Sequence, residues 1–252
     1  MARRLVRRTS EELKTMRRAG RVVAEMHDSI RAAVRPGVTT AELDAVARDV
    51  LARRGATSNF LGYHGFPAVI CTSVNEVVIH GIPGPQVLVE GDIIGVDCGA
   101  IIDGWHGDAA FSVGVGMISR EAERLIAGTE EALAAAIAQM RPGSHLGDVG
   151  YAVEQVADRY GFGIADGYCG HGIGRAMHED PDVPNTGRRG KGAKLEPGVV
   201  LAIEPMFISG GTDDTVELSD GWTVVSADYS LAAHCEHTVL VTDHGPEILT
   251  RS

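Results

Sequence analysis

Gly95-Val96-Asp97-Cys98-Gly99-Ala100-Ile101-Ile102-Asp103-Gly104-Trp105-His106-Gly107-Asp108-Ala109 is the stretch on which the fold turns. Its central dipeptide, Asp103-Gly104, is a strong two-residue hairpin signal, because both residue types tolerate the positive φ such a turn requires. On either side the chain reads as strand. Folding the hairpin about that turn sets Asp97 and Asp108 on one face, roughly diagonal across the ladder. Two bare carboxylates on one buried face repel each other. The arrangement persists only when a cation gathers them or one of them is protonated.

Composition narrows what surrounds that hairpin. The chain has 252 residues, 44% apolar and 23% charged, which describes a globular protein long enough for one large core or two fused halves. Its net charge of −11 argues against nucleic acid as the main ligand. No apolar run approaches the length of a membrane span, and no apolar stretch follows the N-terminal arginines as in a signal peptide. Cys71, Cys98, Cys169 and Cys235 show no CxxC spacing, so free thiols in a reducing cytoplasm are expected.

Outward from the hairpin, elements come in the order helix, helix, strands, twice over. Residues 1–9 read as a basic, frayed tail. Thr9 or Ser10 caps a helix that Pro36-Gly37 ends, and Thr39-Thr40-Ala41-Glu42 opens a second that Gly55 closes. Ala68–Thr72 and Val77–Ile79 read as a further hairpin. Ser119 then caps an Ala-rich helix stopped by Pro142-Gly143, and another runs from about 147 to Gly161. Arg35-Pro36-Gly37 recurs as Arg141-Pro142-Gly143, and Gly55 as Gly161, each 106 positions on. Gly62-Tyr63-His64-Gly65 resembles Gly167-Tyr168-Cys169-Gly170, 105 on, and Gly91–Asp97 resembles Gly198–Glu204, 107 on. Segments in one order at nearly constant offset predict a duplicated, pseudo-twofold fold. Neither half alone can bury its sheet, so 10–252 is expected to form one domain built from halves of about 10–118 and 119–252.

The repeat lays Asp97 over Glu204, and Asp108-Ala109-Ala110-Phe111 over Glu236-His237-Thr238-Val239. Four carboxylates then converge near the axis with no Lys or Arg beside them in sequence. Divalent metal is the natural compensation, and four carboxylates suit two ions better than one. His171, between glycines in Gly170-His171-Gly172, is the candidate nitrogen ligand. By spacing alone His178 is either a catalytic donor or a surface loop histidine, and His80 either functional or a satisfied core residue. His106 and His237 alternate to the opposite face. His27, His145, His234 and His244 carry no signal. Cys71 is a candidate pocket residue, while no His-Asp pairing makes any cysteine a nucleophile.

Several segments together carry a family resemblance: Asn75-Glu76-Val77-Val78-Ile79-His80-Gly81-Ile82-Pro83, the Asp97/Asp108 hairpin, Gly170–Gly174, Met177-His178-Glu179-Asp180-Pro181, Ile203-Glu204-Pro205-Met206 and Glu236-His237-Thr238. Over roughly residues 10–250 the chain closely resembles type I methionine aminopeptidase. The resemblance implies the α+β "pita-bread" fold, a curved antiparallel sheet covered by two helix pairs. It implies two divalent ions (Co, Mn, Fe or Zn) on Asp97, Asp108, His171, Glu204 and Glu236, with His80 and His178 facing the substrate. The methionine pocket maps onto Tyr63, Phe66, Cys71 and Trp222, with Phe60 and Met177 at its edges. Phe60 stands where relatives often have cysteine, and Met177 where they often have an aromatic.

The expected activity is removal of the initiator methionine from newly made proteins whose second residue is small. Glu204 is expected to move the proton, His178 to stabilise the oxyanion and His80 to bind the second residue's amide. The rivals are a proline-directed peptidase with the same five ligands, usually with a large extra N-terminal domain for which this chain has no room, and a non-catalytic binding module. The zinc-binding or proline-rich extensions of some relatives are expected to be absent, and a monomer is expected. Arg3, Arg4, Arg7, Arg8, Arg17, Arg18 and Arg21, with Arg188, Arg189, Lys191 and Lys194, form either a solvated basic face or a transient ribosome contact.

Overall fold

Among the described residues, four α-helices begin where polar side chains satisfy free amides. The structure, a computed structural model, describes residues 5–252. α1 (Ser10–Ala33) and α2 (Thr40–Arg54) open with matching capping boxes, Thr9 with Glu12 and Thr39 with Glu42. Ser119 caps α3 (Arg120–Ile137) through the amide of Ala122. In α4 (Leu146–Tyr160), Asp148 accepts from the amide of His145 at 2.7 Å. α2 and α4 end on Gly55 and Gly161, both left-handed, at φ 61° and 69°.

The hairpin forms as its sequence dictates. Ile93–Ile102 and Trp105–Gly114 pair without interruption, and Asp103 and Gly104 make the turn at φ 50° and 73°. Asp97 lies opposite Ala110, and Asp108 opposite Gly99. The two carboxylates are therefore diagonal neighbours on one face. α1 and α2 pack over this sheet around Val23, Met26, Ile30, Leu43 and Ile94, while α3 and α4 pack over a second core around Leu125, Val153, Leu201 and Val239.

The repeat is visible in the backbone. Gly37 donates to Leu88 O and Gly143 to Leu195 O, at φ 90° and 93°. Gly91 donates to Val115 O and Gly198 to Val241 O, at φ 99° and 93°. A seam runs between the halves. The amide of Glu236 donates to Ala110 O at 2.8 Å, and that of Ala110 to Glu236 O at 3.3 Å. Two residues to either side, hydroxyls take the place of backbone. Thr238 Oγ1 accepts from Asp108 N at 3.0 Å and donates to Asp108 O at 2.8 Å. Ser112 Oγ accepts from His234 N at 3.0 Å and donates to His234 O at 2.9 Å.

Two expectations need correction. Ile70–Val74 and Val77–Ile79 do not form a hairpin with each other. The first pairs with Ile93–Ile102 and the second with Val224–Ser226 from the other half. Asn75 at φ 55° turns the chain away after the first strand. Nor are residues 5–9 frayed. Leu5 is buried, Arg7 forms a β-bridge with Val199, and the guanidinium of Arg8 is 10% exposed against Glu179. Residues 1–4 of the expected tail, with Arg3 and Arg4, lie outside the described residues.

Candidate metal centre and substrate pocket

Each candidate side chain sits on a strand or directly beside one. Asp97 and Asp108 come from the hairpin. His171 lies in the short strand Gly170–Gly172, where glycine is required on both sides: a Cβ on Gly170 would stand 2.4 Å from Ala202 O, and one on Gly172 2.4 Å from Asp180 O. Glu204 directly follows the strand Val200–Ile203, and Asn185 Nδ2 donates to its carbonyl at 3.0 Å. Glu236 sits on the seam. All five side chains open into one cavity, as do His80 and His178.

The cavity's polar end is densely acidic. His171 Nε2 lies 3.4 Å from Glu204 Oε1. Asp108, His171 and Glu236 each bring one ligand atom within 4.8 Å of the others, and Glu204, His234 and Glu236 do the same. Asp97 Oδ1, Asp108 Oδ1, Glu236 Oε1 and His234 Nε2 are buried without a hydrogen-bond partner. Burial, with the charge of Asp108 as the next largest cause, pushes Asp97 and Glu236 well above the carboxylate range. Burial raises Asp108 to about 7, against a lowering by His171. Orphaned carboxylate oxygens beside an imidazole are the donor set of a divalent cation, and the residues present fit one.

The other end of the cavity is apolar. Phe60, Phe66, Ala68, Cys71 and Met177 form a buried cluster with Tyr63 and Trp222 against it. Phe66 and Trp222 meet edge to face at 5.0 Å. Phe60 and Met177 are 7% and 5% exposed and line the same cavity.

Two histidines stand between the ends. His178 Nδ1 is 2.8 Å from the Tyr63 hydroxyl, and its ring lies 4.3 Å from that of His171. Burial, with His171 next to it, holds His178 down to about 4. His80, at φ 60°, is flanked by Tyr168 and Trp222, each with ring centroids 6.2 Å away, and burial lowers it too. The loop and core readings of these two residues therefore give way to a position in the cavity.

Other candidates fall elsewhere. His106 donates its amide to Gly174 O, and His237 Nδ1 meets Thr250 Oγ1 at 2.9 Å, both outside the cavity. Cys98 and Cys235 are buried and do not line the cavity, and burial raises Cys235 to about 12. Two residues escaped sequence reasoning. His27, on α1, reaches Ala109 O at 3.0 Å behind the sheet; its place four residues after Val23 and three before Ile30, on the buried stripe, was the signal. His234 lines the cavity, its Nε2 3.5 Å from Glu204 Oε2. The signal for His234 was present: it lies two residues before Glu236, on the same face by strand alternation.

An acidic, imidazole-bearing centre at the seam of a duplicated fold is that of a metallopeptidase. A family model for metallopeptidase family M24 matches residues 14–243, and the chain belongs to that family. Within it the chain falls among the methionine aminopeptidases. It is 54% identical over 250 residues to methionine aminopeptidase 1 of Mycobacterium tuberculosis, covering 96% of this chain and 94% of that one. It superposes on the crystal structure of methionine aminopeptidase from Rickettsia prowazekii with a TM-score of 0.95 at 41% identity, covering 98% and 99% of the two chains. The fold alone is shared with Xaa-Pro dipeptidase from Bacillus anthracis, at TM-score 0.79 and 22% identity, where the match covers 62% of that longer chain.

Proposed function

We propose that this chain hydrolyses the first peptide bond of newly made proteins that begin with methionine and continue with a small residue. Its ligands in this reading are Asp97, Asp108, His171, Glu204 and Glu236, holding two divalent ions drawn from Mn, Fe, Co or Zn. When bound, such metal lowers the pKa of water toward neutrality and anchors a free α-amine. The observation that carries the reading is the joining of this acidic centre to an apolar pocket in one cavity.

The protein's own residues supply the rest. Phe60, Tyr63, Phe66, Cys71, Met177 and Trp222 enclose a thioether side chain, for which aromatic rings are favourable neighbours. His178 is neutral at physiological pH. With the Tyr63 hydroxyl donating to Nδ1, its proton sits on Nε2, free to donate to the oxyanion that forms as water adds to the carbonyl. Glu204 takes the proton from that water and passes it to the departing amine as the C–N bond breaks. His80 holds the second residue's amide.

Residues 10–252 act as one catalytic unit in this reading, a monomer in the cytoplasm, consistent with four free cysteines. Any contact with the ribosome is transient and rests on Arg188, Arg189, Lys191 and Lys194. Arg7, Arg8, Arg17 and Arg18 are engaged by Pro197 O, Glu179, Glu247 and Asp103 within the chain. Absent or salt-insensitive co-sedimentation with ribosomes would remove that contact.

The central test strips the protein of metal, refills it with each ion in turn, and assays Met-Ala-Ser beside an Xaa-Pro peptide. Turnover of Met-Ala-Ser alone supports the proposal. Preference for the Xaa-Pro peptide supports the proline-directed rival, and metal binding without turnover of either peptide supports a binding module.

A further inference from the structure

His234 ends the strand Ala232–His234, where it pairs with Met206. Its backbone is clasped from both sides by the hydroxyl of Ser112, as Asp108 is clasped by Thr238 across the seam. The two residues occupy matching places about the Ala110–Glu236 pair. Asp108 is one of the proposed ligands. His234 has the same rigid support, a side chain 4% exposed, and an Nε2 with no hydrogen-bond partner that is directed into the acidic cavity.

What Nε2 faces is specific. Glu204 Oε2 lies 3.5 Å away, and Glu204, His234 and Glu236 each place a ligand atom within 4.8 Å of one another. This triad mirrors Asp108, His171 and Glu236, and Glu236 belongs to both. A buried, unpartnered imidazole nitrogen between two carboxylates has the surroundings of a ligand. Burial without a partner is costly, and ligation removes the cost while adding a borderline-soft donor.

We infer that His234 is a sixth metal ligand, which would give the centre a second imidazole. The inference rests on the metal-dependent reading above. His171 and His234 would then both serve the centre, their Nε2 atoms 3.4 and 3.5 Å from the two oxygens of Glu204. Such a centre binds its second ion more tightly than one with a single imidazole and favours imidazole-preferring metals such as zinc over manganese.

The experiment follows histidine ring nitrogens by NMR in 15N-labelled protein as zinc is added to two equivalents, with His234 assigned through Ala233 and Cys235. The expected result is that Nε2 of both His171 and His234 moves to the metal-bound position, the second as the second equivalent binds. In His234→Gln, zinc affinity for that equivalent should fall by more than the roughly 10–100-fold typical of losing a residue that merely orients a ligand. A His234 Nε2 that stays unmetallated at two equivalents in the parent overturns the inference, whether or not the variant folds. Protein that binds no zinc and leaves Met-Ala-Ser intact would instead overturn the functional reading.

Discussion

Replacing Asp108 with asparagine keeps the shape of the side chain and removes its charge, which separates what the carboxylate does for metal from what it costs without metal. Burial raises Asp108 from an ordinary 3.8 to about 7. In metal-free protein the folded state therefore holds a proton that the unfolded chain releases. The stability this gives is complete below pH 3.8, declines as pH rises, and levels off above about 7. At about 1.4 kcal/mol per unit, burying Asp108 costs up to roughly 4 kcal/mol at pH 8, where it is ionised, and about 2 kcal/mol at pH 5, where it must take up a proton. Metal-free Asp108→Asn should thus be more stable than the parent in urea at pH 8, by a margin that shrinks by about 2–3 kcal/mol at pH 5. Asp97 and Glu236, which feel the Asp108 charge, relax in the same direction. One metal ion at 1,000 times its Kd adds about 4 kcal/mol to the parent and should erase the margin; a second ion bound as tightly should reverse the order. A variant less stable than the parent at pH 8 without metal, or a margin independent of pH, would refute the reasoning.

Further outcomes follow from the same geometry. His178→Ala should lower kcat on Met-Ala-Ser by about 10²–10³-fold, and Tyr63→Phe by a smaller factor, since it only frees the choice of tautomer; a His178→Ala rate within a few-fold of the parent would remove the donor role. His27 is held down to about 3 by burial and stays neutral in the folded protein, whereas the unfolded chain takes up a proton below pH 6.5. The His27 contribution to stability should therefore fall by about 1.4 kcal/mol per unit from pH 6.5 toward 3, and between pH 7 and 5 His27→Gln should lose about 2 kcal/mol less than the parent. Of the four thiols, only Cys169 is partly exposed, so a disulfide reagent should titrate one thiol quickly in native protein and all four in denaturant; rapid reaction of more than one would contradict the burial of Cys71, Cys98 and Cys235.

Much of this was legible because the signals were local. Asp103-Gly104 set the turn, and the period of two then placed Asp97 and Asp108 on one face. The glycines at 37, 55, 143 and 161 marked the repeat because each adopts a positive φ that few other residues tolerate. What stayed hidden depended on partners distant in sequence. Val77–Ile79 pairs across the halves with Val224–Ser226, which no turn signal announces. His27 meets a strand carbonyl 82 positions away. The docking of residues 5–9 follows from Arg8 reaching Glu179, a contact over 171 positions.

That last contact bears on how the protein is handled. Glu179 also accepts from the amides of Arg175 and Ala176, so Arg8 braces the loop that carries His178. Arg8 further donates to Ile173 O and fills the space beside Gly174 where any side chain would collide with it. Arg8 therefore acts as a clasp on the rim of the cavity. A truncation reaching Arg8 removes the clasp and leaves Glu179 without its guanidinium.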